Sequence, residues 1–245
     1  MDNNKIRINK YISQSGFCSR RAADELVAAG RVMINGEAAV CGSGVTPCDI
    51  VTVDGTAISI IEDKEVYAFY KPMGYISSLS DEQGEGIGKF LPEGKRLFPV
   101  GRLDKESEGL ILLTNDGNLM NEILKASNGH EKEYIVTTRQ VITDDFLTKM
   151  AKGVPITNAA TGKKIITAPC KTMKINDNQF KITLIQGLNR QIRRMCGYFG
   201  YDVVNLMRVR IMNITLKGMK PGQVELIDGT RLAEIKKLVK KVDNE

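Results

Sequence analysis

Residues 101–117 read GRLDKESEGLILLTNDG, a short charged loop that runs into an apolar stretch. The apolar residues 109–113 are typical of a buried strand, and Phe98–Val100 flank the loop on its other side, so a core anchors both ends. A carboxylate held in this way can act as a nucleophile or a general base, which makes Asp104 a candidate catalytic residue. Equally, Asp104 can pair with Arg102 or cap the turn, and the chemistry of the loop alone leaves both interpretations open.

The elements around this loop predict an α+β fold. Strand-like stretches occur at 66–70, 109–113, 134–138 and 180–185, and helical patterns at 118–126, 144–151, 190–199 and 232–242. Thr143 and Asn189 are suitable N-caps for two of these helices. Because the helices do not alternate regularly with the strands, a central mixed or antiparallel sheet flanked by helices is favoured over a doubly wound fold.

Residues 1–62 have the pattern of a small αβ module, separate from a larger domain at 63–245. Ser19 is a good N-cap for the second of two short helices. Asn35-Gly36 is the pair that a tight type I′ hairpin prefers, since both positions need a positive φ. The stretch at 60–64 ends the module and indicates a linker.

The composition excludes several classes of protein. The 245 residues carry 35 Lys and Arg against 29 Asp and Glu, and a hydrophobic fraction of 42% argues against disorder. The five Cys form no CxxC pair, and the single histidine, His130, excludes an HExxH zinc site. No apolar run approaches the roughly 18 residues of a membrane span. We expect a cytoplasmic protein with reduced thiols, no metal and no membrane contact.

Basic residues of the N-terminal module suggest contact with nucleic acid. Lys10 and Ser19-Arg20-Arg21 lie on the two consecutive predicted helices. Cations presented from exposed helix faces can bind a phosphate backbone, because releasing counterions from the nucleic acid drives such binding. An ordinary solvated surface is the alternative.

A denser basic cluster lies at 186–220. Three of its arginines share one face of the predicted helix: Arg190, Arg193 and Arg194. They would repel one another unless an anion lies between them, and the planar guanidinium suits phosphate well. A phosphate-binding site is therefore favoured over a solvated face.

Residues 101–117 resemble the catalytic signature of the RsuA family of ribosomal pseudouridine synthases. Four further stretches agree with that family in order and spacing. Ile6–Gly36 resembles an S4 segment, Lys71–Gly74 a KPxG segment, His130–Tyr134 a KxY segment and Gln186–Met195 the basic motif. The resemblance is greatest to the branch that acts on the large subunit. It implies a small N-terminal S4 (αL-type) RNA-binding domain followed by a pseudouridine synthase domain.

This resemblance implies that the protein isomerises one or more specific uridines of ribosomal RNA to pseudouridine without a cofactor. The expected RNA is 23S rRNA. The resemblance assigns Asp104 as the catalytic residue, Tyr134 as the stacking and proton-relay residue, and Arg193 as the cation that pairs with Asp104. Arg102 would fill the gap left by the flipped nucleotide, and Ile192 would form an apolar wall. We expect the target in a loop or bulge, where flipping costs least.

The remaining candidates are basic or polar residues. Arg190 and Arg194 are expected to bind the substrate. A second set is expected to contact RNA elsewhere: Arg7, Lys10, Ser19, Arg20, Arg21, Arg208 and Arg210. The expected partner is ribosomal RNA or an assembly intermediate, bound by a monomer.

Three alternatives stay open. The same chemistry on 16S rRNA or tRNA is excluded only weakly. A non-catalytic RNA-binding assembly factor on the same scaffold should lack Asp104 or Tyr134, and both are present. Another S4-bearing enzyme, such as a tRNA synthetase or an RNA methyltransferase, should carry a HIGH-like or Gly-rich cofactor motif, and neither is found.

Overall fold

The computed structural model describes residues 5–159 and 161–240. The chain divides into two compact units, one of residues up to Lys64 together with Asn115–Gly117, and one of Glu65–Thr114 together with the residues from Asn118 on. Val242, which belongs to the last predicted helix, lies outside the described residues. No helix in the described ranges is long and apolar enough to cross a membrane.

The first unit packs two short helices against short antiparallel strands. The helices are α1 (Ile8–Gln14) and α2 (Arg20–Ala28), and the strands are β1 (Ile6–Arg7), β2 (Val32–Ile34), β3 (Glu37–Ala38), β4 (Gly44–Val45), β5 (Val51–Val53) and β6 (Thr56–Ile58). Strands β3, β2, β5 and β6 form one sheet in that order. As predicted, Ser19 caps α2 by accepting a hydrogen bond from the Ala22 N–H. Asn35 and Gly36 both have positive φ angles, 52° and 86°.

The second unit is built on a large sheet. Its strands are β7 (Val66–Lys71), β8 (Phe98–Val100), β9 (Glu108–Thr114), β10 (Lys132–Thr138), β11 (Pro155–Thr157), β12 (Lys164–Ile166), β13 (Lys171–Asn176), β14 (Gln179–Leu184), β15 (Val203–Ile211), β16 (Ile214–Thr215) and β17 (Val224–Ile227). The order in the sheet is β13-β14-β10-β15-β9-β7-β17, with β8 beside β9 and β16 beside β15, while β11 and β12 form a separate hairpin.

Helices cover this sheet. They are α3 (Gly117–Leu124), α4 (Asp144–Ala151), α5 (Gln191–Tyr198) and α6 (Gly229–Lys240), with short 3-10 turns at Gly88–Phe90 and Ala126–Asn128. Separate groups of buried residues pack on the sheet, one around Phe69, Phe146 and Phe180 and the other around Leu112 and Ile235. The β9–β15 pair is parallel and the neighbouring pairs are antiparallel. The predicted α+β class with a mixed sheet is confirmed.

The predicted N-cap of the helix in the basic motif was wrong. Helix α5 does not begin after an Asn189 cap: its N-cap is Arg190, in the left-handed conformation at φ 50° and without a capping side-chain bond. Arg208 and Arg210, which were predicted to contact RNA, lie on β15 (Val203–Ile211), in the middle of the sheet. Arg208 is buried and Arg210 is only partly buried, and the register between β10 and β15 shifts between these two positions, which charge counting could not reveal.

Candidate active site

The loop that carries Asp104 is fixed by hydrogen bonds from the segment after β7. The Ser77 hydroxyl accepts from the Leu103 N–H at 2.9 Å and donates to the Leu103 carbonyl at 2.8 Å. Gly74 N–H donates to the Lys105 carbonyl at 2.8 Å, and a turn closes as Ser107 N–H donates to Asp104 O. Bonds on both sides of Asp104 therefore hold the backbone in one position.

The side chain of Lys71 also holds this loop in place. This side chain is fully buried, and its ammonium donates to the Ser107 carbonyl at 2.7 Å and to the Pro72 carbonyl at 2.8 Å. Burial lowers the pKa of Lys71 to about 8, although Asp104 and Glu108 act in the opposite direction. No role was predicted for Lys71 beyond its place in the KPxG segment. The available signal was a lysine ending a strand whose other residues are apolar or aromatic.

A glycine brings the loop against the neighbouring strand. Gly109 pairs with Arg208 in the parallel ladder between β9 and β15. Its φ is +113°, and a Cβ atom there would lie 2.3 Å from the Arg208 carbonyl oxygen. Only a residue without a side chain allows this approach, which sets Arg208 beside the Asp104 loop.

The loop borders a pocket of about 460 Å³. It brings together six of the predicted residues: Arg102, Asp104, Tyr134, Arg190, Ile192 and Arg208. The volume lies within the usual range for small-ligand sites. A ring, two apolar walls and several polar groups thus surround one carboxylate, a composition suited to a single flipped nucleobase.

Tyr134 and two cations form one wall of the pocket. Tyr134 is only 8% exposed, and the Arg208 guanidinium lies 6.0 Å from its ring centroid. Lys132, two residues before Tyr134 on β10, also lines the pocket. Burial lowers the pKa of Lys132, and the charge of Arg208 lowers it further. The wall is therefore both aromatic and electropositive.

The cation beside Asp104 is Arg190 and not Arg193, so the predicted pairing was wrong. Arg190 Nη1 lies 3.7 Å from Asp104 Oδ2 and 2.9 Å from Glu106 Oε2. This neighbour lowers the pKa of Glu106. The left-handed backbone at Arg190, just before α5, turns this side chain toward the loop instead of along the helix.

Arg193 braces the loop through backbone groups. Its Nη2 donates to the Glu106 carbonyl at 3.0 Å and to the Ser107 hydroxyl at 3.4 Å, and its Nη1 donates to the Val203 carbonyl at 3.0 Å. The guanidinium thus ties α5 to the start of β15 and to the Asp104 loop. These acceptors occupy Nη1 and Nη2, while Nε is buried without a hydrogen-bond partner, and no ion pair joins Arg193 to Asp104 in the described ranges.

Arg194, Arg208 and Arg210 lie in three different environments. Arg194, which does not line the pocket, donates to the Thr157 carbonyl and to Asn189 Oδ1. Arg208 is 3% exposed and therefore cannot present its charge on a surface. Arg210 forms ion pairs with Glu131 at 2.9 Å and Glu133 at 3.6 Å. Arg190, Arg193, Arg194 and Arg210 each contact protein acceptors, so these four arginines need no shared anion between them.

The predicted RNA contacts of the first unit lie on α1, α2 and the residues before each helix. Arg7, Ser19, Arg20 and Arg21 are exposed and Lys10 is partly buried. Ser19 already accepts the capping hydrogen bond of α2. Within the described ranges, no group of three or more His, Cys, Asp and Glu could hold a metal ion.

Comparison with protein families identifies both parts of the chain. Residues 65–198 match the RNA pseudouridylate synthase family, and residues 6–51 match the S4 domain. The chain therefore belongs to the RsuA family of RNA pseudouridine synthases, and its reaction is the isomerisation of uridine to pseudouridine in RNA.

Relatives with full-length similarity have names of the same kind. A dual-specificity RNA pseudouridine synthase RluF from Shigella flexneri is 46% identical over 100% of this chain and 83% of its own. A ribosomal large subunit pseudouridine synthase B from Bacillus subtilis is 31% identical over 88% of this chain and 89% of its own. A crystal structure of a pseudouridylate synthase matches 95% of this chain and 99% of its own, with a TM-score of 0.68 and 26% identity.

Proposed function

We propose that the enzyme isomerises one or more specific uridines of large-subunit ribosomal RNA, and that the reaction takes place in the pocket at Asp104. One observation carries the assignment of the site: Asp104 is the only carboxylate among the described residues that line the pocket. Relatives named for the large ribosomal subunit and for dual specificity support the choice of RNA and of more than one target.

The reaction exchanges one bond for another within the nucleotide. The N1–C1′ bond breaks, the base turns, and C5 bonds to C1′, while C5 loses its proton and N1 gains one. The Asp104 carboxylate acts as nucleophile or base on the ribose. A carboxylate that is only 28% exposed and has Arg190 at 3.7 Å is held ready for that role.

Other residues bind and orient the nucleotide. Tyr134 stacks on the base and relays a proton, Ile192 packs against it, and Arg102 at the exposed rim occupies the space that the flipped base leaves in the RNA. Lys71 and Arg193 act indirectly, by holding the loop of Asp104. Flipping favours a target in a loop or bulge.

The first unit supplies RNA affinity in this proposal. Exposed Arg7, Arg20 and Arg21 bind phosphates without regard to sequence. Because ribosomal RNA is the substrate, the enzyme works in the cytoplasm, as a monomer that brings its own RNA-binding unit.

The test replaces Asp104 by Asn. Ribosomal RNA from cells with and without the gene is sequenced after chemical tagging of pseudouridine, and the lost sites identify the targets. We expect wild type to restore them and Asp104→Asn to restore none while still binding the RNA transcript. Glu85→Gln, an exposed carboxylate change away from the pocket lining, is the matched control and should restore them fully. An active Asp104→Asn variant would overturn the proposed site.

A further inference from the structure

Arg208 has an unusual position for an arginine. It is 3% exposed, and its Nε donates to the Leu110 carbonyl at 2.6 Å. Its Nη2 is enclosed without a hydrogen-bond partner, and no carboxylate lies within ion-pair distance in the described ranges. A buried guanidinium nitrogen without an acceptor carries a desolvation cost, so a ligand that supplies an acceptor to Nη2 would be stabilised.

The location of Arg208 restricts what that ligand can be. The side chain lines the pocket, with its guanidinium 6.0 Å from the Tyr134 ring centroid. A phosphate within RNA is tethered to the chain on both sides and remains near the surface, whereas the edge of a flipped base can enter an enclosed site. An acceptor at the base edge therefore fits Arg208 better than a phosphate does.

We infer that Arg208 donates a hydrogen bond to a carbonyl oxygen of the flipped uracil and so selects uracil over cytosine. The inference rests on the proposed function of the pocket. Uracil has carbonyl acceptors on both sides of N3. Cytosine has an amino donor at C4, which would meet the guanidinium donor to donor.

The same contact can persist through the reaction. Turning the base by half a revolution about its N3–C6 axis exchanges N1 with C5 and also exchanges the C2 and C4 carbonyls. A fixed donor that meets one carbonyl before the turn therefore meets the other carbonyl after it. Arg208 thus binds the base in both orientations without moving, and this would retain the detached uracil until the new bond forms.

The experiment combines a changed atom in the RNA with a changed side chain. Once a target uridine has been mapped, RNAs with 2-thiouridine or 4-thiouridine at that single position are made by ligation, because sulfur is a weaker acceptor than oxygen. Single-turnover rates are measured at saturating full-length enzyme for wild type, Arg208→Met and Arg208→Lys. Arg139→Met is the control, since Arg139 is exposed and outside the pocket lining.

For wild type we expect at least one thio substitution to slow the reaction by about tenfold or more, the usual range for a hydrogen bond to a charged group. In Arg208→Met the unmodified RNA should react slowly and the same sulfur should cause little further loss. Arg139→Met should behave as wild type. A residue with a purely structural role would leave the sulfur effect unchanged in Arg208→Met.

Three results would overturn the inference. In the first, wild type converts both thio RNAs at the same rate as the unmodified RNA. This result can be obtained without any folded variant. Arg208→Met could show the full wild-type sulfur effect. The variant could instead lower the slope of log affinity against log salt by about one, which would indicate a phosphate contact. Failure of the proposed function would give a different result. Either wild type would form no pseudouridine, or Asp104→Asn would form it as well as wild type does.

Discussion

The guanidinium of Arg190 lies between two carboxylates, with its Nη1 3.7 Å from Asp104 and 2.9 Å from Glu106. Arg193, one helical turn away, contacts only a hydroxyl and backbone carbonyls. The two arginines therefore act differently on the same loop. Arg190 lies within ion-pair distance of both carboxylates, whereas Arg193 donates to the backbone of the loop and adds only a smaller charge effect on Glu106.

Replacing Arg190 by Met should slow pseudouridine formation at saturating enzyme by about tenfold or more, because Asp104 loses the neighbouring cation. The pKa of Glu106 should rise toward its usual value in this variant, since Arg190 is the main cause of its lowering. Single-turnover rates and an NMR titration of the Glu106 side chain measure the two effects. Arg194→Met is the control on the same helix, and an equal loss of rate there would contradict the special role of Arg190.

Replacing Gly109 by Ala should destabilise the protein more than a positive φ alone explains. The left-handed conformation costs a residue with a side chain about 1–2 kcal/mol, and a Cβ here would also collide with the Arg208 backbone at 2.3 Å. Gly94→Ala is a matched control in the same unit, because Gly94 has φ +70° and open space around its Cβ position. Urea unfolding compares the two variants, and equal losses would show that the close approach of β9 and β15 has no energetic importance.

The sequence was sufficient for the fold class, the capped helix α2, the hairpin at Asn35-Gly36 and the pocket residue pair Asp104 and Tyr134. Each depends on local pattern or on a motif, so neighbouring residues along the chain carry the signal. The contacts that Arg193 and Arg208 make depend on which strands are paired in the sheet. The parallel pairing of β9 with β15 joins residues 99 positions apart, and no local pattern of charge contains that information.

The buried ammonium of Lys71 makes stability depend on pH in a definite direction. Its pKa is lowered to about 8 in the folded protein from 10.5 in the unfolded chain. Between these values the unfolded state binds more protons, so the contribution of Lys71 to stability rises as pH increases from about 8 to about 10.5. Urea unfolding of wild type and Lys71→Met at several pH values measures the difference. If the two free energies of unfolding change in parallel across this window, the ammonium is not the group responsible.

Arg20 tests whether the first unit contributes phosphate contacts. Arg20 is exposed, and no acidic group lies within ion-pair distance of it in the described part of the chain, whereas Arg31 of the same unit pairs with Asp54 at 2.5 Å. Replacing Arg20 by Ala should weaken binding to a large-subunit rRNA transcript and reduce the salt slope by about one, because one fewer phosphate is neutralised. Arg31→Ala should leave the slope nearly unchanged, since Asp54 already compensates its charge.

Affinity is measured by filter binding from low to moderate salt, and the saturated rate should stay the same in both variants because neither residue belongs to the pocket lining. Equal slopes for Arg20→Ala and wild type would remove Arg20 from the phosphate contacts.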